Sequence, residues 1–151
     1  MAYSKLSLDP KIKEIAAFQP RKQLIRPLLG ASVSAGFPSP AQDYIEAELD
    51  LNEHLITHPT ATYFVRVAGN SMTEAGIFDD DILIVDRAIE PAHKKIVIAI
   101  LDGELTVKRL LIKKGKWYLQ PENSEFSALE ITTDSDLVIW GVVLFSIHRT
   151  S

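Results

Sequence analysis

The sequence predicts a mainly β protein: a strongly bent antiparallel sheet with one or two short helices and an extended N-terminal arm. Three features predict it. From Thr62 onward, apolar residues fall in short runs rich in Val, Ile and aromatics, divided by Gly, Asp, Asn and Pro. Asp102-Gly103 joins two of these runs, and a two-residue hairpin turn needs the positive φ that such a pair adopts. Before residue 41, prolines at 10, 20, 27, 38 and 40 interrupt any long helix.

Along the chain, "KIKEIAAF" (11–18) leaves room for at most one or two helical turns. "SPAQDYIEAELD" predicts a capped helix. Ser39 is its N-cap, Pro40 occupies the first helical position, Gln42 follows the cap by three, and Ile45 and Leu49 lie one turn apart. Asp50 and Glu53 repeat the cap spacing, so a second short helix is expected in "DLNEHLITHP". The strands are "TYFVRVAG", "DILIVD", "KIVIAIL", "ELTVKRLLI", "KWYLQP" and "DLVIWGVVLFSIH". Alternation in the fourth places Thr106, Lys108 and Leu110 on one face, with Leu105, Val107, Arg109 and Leu111 on the other. One of the two cations therefore lies beside apolar surface unless it snorkels outward.

With 151 residues, 46% hydrophobic and 24% charged, the chain suits one domain with a substantial core. It has no cysteine, which excludes disulfides and cysteine-based zinc sites. No apolar run is long enough for a membrane span or a secretory signal, so a cytoplasmic location is expected. The net charge of -4 is uneven: residues 1–35 carry +4 and the remainder -8. A basic leader can touch DNA or lie on its own acidic body. It lacks the paired apolar stripes of a helix-turn-helix, so the body is the expected resting place, with Leu24, Ile25, Leu28 and Leu29 as apolar anchors and no sequence-specific DNA binding.

Two residues carry candidate chemistry. Ser71, after a strand and Gly69, is a turn residue or a nucleophile. Lys108, in a strand with apolar neighbours, is a solvated cation or a general base. With the ordinary lysine pKa near 10.4 only about one side chain in 2,500 is neutral at pH 7, and burial can lower that pKa by roughly 3 to 5 units. A base lysine thus needs an apolar setting. Asp79, Asp80 and Asp81 lack the ligand spacing of a calcium loop, the four histidines are scattered, and no glycine-rich phosphate loop occurs. Neither a metal nor a cofactor is expected.

"SAGF" (34–37), "GNSM" (69–72) and "VKRL" (107–110) occur in the order of the cleavage, nucleophile and base segments of the LexA/UmuD self-cleaving Ser-Lys peptidases, a family that the chain resembles over roughly residues 30–148. The resemblance is closest to the UmuD-like branch, through "GFPSPAQDYIEAELDLNEHLITHPTATYFVRVAGNSM" and "DDDILIVDRAI". It implies the bent sheet of that family, with Ser71 as nucleophile, Lys108 as general base, Ala35-Gly36 as the bond cut and the backbone N–H groups of Ser71 and Met72 as oxyanion donors. It further implies an SOS response to DNA damage, in which residues 1–35 are removed and 36–151 form the peptidase and dimerisation domain. The implied partners are a second copy, a UmuC-like Y-family polymerase used in translesion synthesis, a RecA filament on single-stranded DNA and replicative polymerase subunits, all in the bacterial cytoplasm and away from membranes. Asn70 departs from the Asp of many relatives, and residues 1–25 have no clear counterpart. The alternative is a non-enzymatic regulatory module on the same fold.

Overall fold

A computed structural model describes residues 7–8, 12–20, 22–29 and 45–151. Contacts divide the chain into two compact units, one of Met1–Phe18 with His58–Ser151, the other Gln19–Thr57.

The first unit is one sheet. Its strands are β1 (Ser7–Leu8), β2 (Ile12–Ala17), β5 (Thr62–Val67), β6 (Ile82–Asp86), β7 (Ile96–Leu101), β8 (Glu104–Lys113), β9 (Lys116–Gln120), β10 (Leu129–Ile131) and β11 (Leu137–Ile147), in the order β10-β9-β8-β7-β11-β6-β5-β2. Neighbours along this path are antiparallel, while β1 pairs with β8 in parallel. The β7–β8 hairpin turns at Asp102 and Gly103 with φ of 50° and 86°, as the dipeptide requires. Lys114-Gly115 makes the same turn between β8 and β9, with φ of 51° and 77°.

Strand β7 is buried on both faces, which explains why the run "IVIAIL" is apolar at every position. Ile98, Leu105, Val107, Val65, Val67, Leu83, Val85 and Trp140 fill one core. Val97, Ala99, Leu110, Leu119 and Val142 fill the other. Strand β11 serves both because its register shifts between Ile139 and Gly141 and again between Val143 and Phe145, and such bulges bend a strand. Gly141 lies so close to β6 that an added Cβ would sit 2.6 Å from Val85 Cγ1. Gly141→Ala should therefore cost about 1–3 kcal/mol, read as a lower denaturation midpoint with unchanged slope.

The leader differs from expectation. Residues 12–17 are strand β2 rather than a helical turn. Ile12 and Ile15 are spaced like helix neighbours, but a bulge between Ile12 and Glu14 brings both onto the same core, with Ile12 only 3% exposed. In the second unit, β3 (Ile25–Leu29) pairs antiparallel with β4 (Ile45–Asp50), so residues 45–50 are not the helix expected there. A partner strand overrides the helix propensity of "IEAEL". The proposed cap, Ser39, lies outside the described residues. Helix α1 (Leu51–Leu55) does follow, its Asp50 cap accepting a hydrogen bond from Asn52 N–H at 3.1 Å. Leu24, Ile25 and Leu28, expected as anchors, are 61%, 44% and 38% exposed.

Candidate active site

Ser71 stands at the corner where β5 ends. Val67 closes the ladder with two bonds to the start of β6, its N–H donating to Asp81 O at 3.0 Å and its carbonyl accepting from Asp80 N–H at 2.8 Å. The chain then loops out. Gly69 takes a φ of 89°, which a residue with a Cβ rarely adopts, and its N–H donates to Asp79 Oδ1 at 2.8 Å. Ser71 and Met72 turn back inward, Ser71 being 4% exposed and Met72 3%, before a short 3-10 turn at Thr73–Ala75. Met72 enters the core beside Ile12, Val67 and Ile77. Among the described residues, no acceptor takes the backbone N–H of Ser71 or Met72.

The aspartate run forms a turn, and each member has a structural task. Asp79 holds Gly69, while Asp80 takes a φ of 71° and pairs with Arg66 at 3.5 Å. Asp81, 2% exposed, accepts from Phe78 N–H at 2.8 Å and Ser146 Oγ at 3.0 Å, and bonds His148 Nδ1 at 2.7 Å.

The pocket at Ser71 is walled by Val67, Ala68, Gly69, Met72, Ile77 and Val107. Val107 belongs to β8 and is the residue before Lys108. Lys108 itself lines a groove of about 210 Å³ with Leu101, Glu104, Thr106, Leu119, Ser127 and Leu129. Its half-buried amine donates to Thr106 Oγ1 at 2.8 Å and to Val107 O at 2.9 Å. The fold thus brings the Ser71 corner against Val107, whose carbonyl takes the Lys108 amine, although the two side chains leave β8 on opposite faces. Among the described residues, no hydrogen bond joins Ser71 Oγ to Lys108 Nζ. Ala35 and Gly36 lie outside the described residues.

Sequence reading missed the loop that fastens this corner. Asn123 Nδ2 donates to Asn70 O at 2.7 Å. Glu122 accepts from Glu74 N–H through its carbonyl at 2.8 Å and donates its own N–H to Met72 Sδ at 3.3 Å. Ser124 N–H donates to Glu74 Oε2, and the Glu122 carboxylate pairs with Arg109, the neighbour of Lys108. "PENSE" offers no periodicity or motif that signals this clasp.

The Peptidase S24-like family model matches residues 27–144. Protein ImpA of Salmonella typhimurium is 49% identical over 128 residues, covering 83% of this chain and 86% of the relative. Protein MucA of Escherichia coli is 48% identical over 116 residues, 76% of this chain and 79% of the relative. The LexA repressor of Bordetella parapertussis is 39% identical over 122 residues, 81% of this chain but 56% of the repressor. A serine corner set against a lysine-bearing strand on a bent antiparallel sheet fits these matches, and the chain belongs to the Peptidase S24-like family of self-cleaving serine peptidases, as a UmuD-like member of the SOS mutagenesis type.

Proposed function

We propose that Ser71 and Lys108 form the dyad that cuts the Ala35-Gly36 bond. Lys108, neutral, accepts the Ser71 hydroxyl proton as Oγ attacks the Ala35 carbonyl. The oxyanion is held by the N–H groups of Ser71 and Met72. As the C–N bond breaks, the proton passes to the Gly36 amine, and a water molecule then releases the acyl group, giving residues 1–35 and 36–151. Holding the bond at the dyad replaces an encounter by a high effective concentration, so docking accounts for much of the rate.

The observation that carries this reading is that the Lys108 amine bends back to Val107 O at 2.9 Å, while Val107 walls the Ser71 pocket. Thr106 supports it by holding the Lys108 amine. In this reading a RecA filament on single-stranded DNA promotes the cut in the bacterial cytoplasm. Residues 36–151, as a homodimer, then serve a UmuC-like Y-family polymerase as its accessory subunit. Sequencing the new terminus after incubation with activated RecA should find Gly36, and any other residue would overturn the assignment of the bond.

A further inference from the structure

The leader is woven into the fold, and this bears on its fate once the chain is cut. Residues 1–35 contribute β1, β2 and β3, and each pairs with a strand from beyond residue 36. Ser7 and Leu8 align with Glu104 and Leu105, and Ile25–Leu29 run against Ile45–Asp50. The firmest of these junctions is β2 on β5. There Ile12 lies opposite Val67 and Ala17 opposite Tyr63, and the pairing continues through a bond from Phe18 N–H to Thr62 O at 2.9 Å.

Side chains reinforce the backbone pairing. Ile12 is buried in the core that Met72, Val65, Val67 and Val107 also build. Phe18 meets Phe64 edge-on with centroids 5.8 Å apart, and Glu14 pairs with Arg66 at 3.4 Å. None of these contacts involves the Ala35-Gly36 bond, so hydrolysis of that bond breaks no strand pair among the described residues.

We infer that residues 36–151 contain a peptide-binding groove, formed by the outer edge of β5 and the core site of Ile12, whose ligand is the chain's own severed leader. The groove accepts an extended segment with two core-facing aliphatic residues across a bulge, a following aromatic residue, and a carboxylate opposite Arg66. "IKEIAAF" (12–18) meets each requirement. A departing leader would leave the β5 edge and an aliphatic core site facing water, a condition that folded sheets avoid. Cutting removes the tether and its effective concentration but leaves these contacts in place, so the product is a two-chain complex. Release of the leader, separate from the cut, is then the step that uncovers β5.

The inference rests on the proposed cut at Ala35-Gly36, and the test separates the two. One sample is the full chain after self-cleavage. The other is a full chain with a recognition site for an unrelated protease placed between residues 34 and 37, cut by that protease independently of Ser71 and Lys108. Native mass measurement should find both fragments together, with the mass of the uncut chain plus one water. Amides of residues 12–17 and 62–67 should stay protected from hydrogen exchange. Ile12→Ala should weaken retention about 10- to 100-fold, the expected loss from emptying one buried aliphatic site. Retention in the externally cut chain supports the groove even if self-cleavage fails. A leader that elutes free from it, with 62–67 exchanging rapidly, would overturn the inference whatever Ser71 does.

Discussion

Lys108→Ala should reduce self-cleavage by about 10⁴-fold or more, because the remaining serine has no base to take its proton. The loss should be chemical rather than structural. Lys108 is half-buried, and its bonds to Thr106 Oγ1 and Val107 O are made by its amine alone, so β8 keeps its pairing with β7. Lys108→Arg should fail equally, since a guanidinium keeps its proton at any pH the protein survives. The wild-type rate without RecA should rise from pH 7 toward pH 10. An amine acts as base only when neutral, and its neutral fraction grows as pH rises through its pKa. A rate independent of pH over that range, or an active Lys108→Arg chain, would remove Lys108 from the mechanism.

Asp81→Ala should be the most destabilising single change near the site, by about 3–4 kcal/mol, or roughly 10 °C in Tm. The carboxylate is 2% exposed and holds Phe78 N–H, Ser146 Oγ and His148 Nδ1. Removing it leaves the Phe78 amide and the Ser146 hydroxyl without their acceptor in part-buried bonds, and donors shielded from water without partners are costly. Its backbone also anchors Val67, from which the Ser71 corner departs, so self-cleavage should fall along with stability. His148→Ala, which removes a half-exposed partner and leaves the other two bonds, should cost less. Chemical denaturation of the three proteins checks the order. An Asp81→Ala chain as stable as wild type would show that these bonds contribute nothing net.

Much of this was legible in the sequence because strands buried on both faces announce themselves, as do Asp-Gly turns. "DILIVD", "KIVIAIL" and "ELTVKRLLI" became β6, β7 and β8, and the Asp50 cap preceded α1. What failed was local spacing under tertiary pairing. Residues 11–18 left room for a helical turn because a bulge is invisible until the opposing strand is known, and "IEAEL" has helical propensity that β3 overrides. The short β10 has too few residues for a period to show. Ser71 and Lys108 could be proposed from motifs, whereas the Glu122–Ser124 clasp depends on contacts about fifty residues apart in sequence. The apolar anchoring of the leader was expected, but Ile12 and Phe18 provide it where Leu24, Ile25 and Leu28 were expected.

The most direct test of the central claim is the intact mass of wild-type and Ser71→Ala protein, incubated side by side with RecA filaments and measured under denaturing conditions. Wild type should resolve into residues 1–35 and 36–151, while Ser71→Ala remains whole after the same time. Equal cutting of both chains at Ala35-Gly36 would show that another nucleophile or a contaminating peptidase does the work, and would contradict the assignment of Ser71.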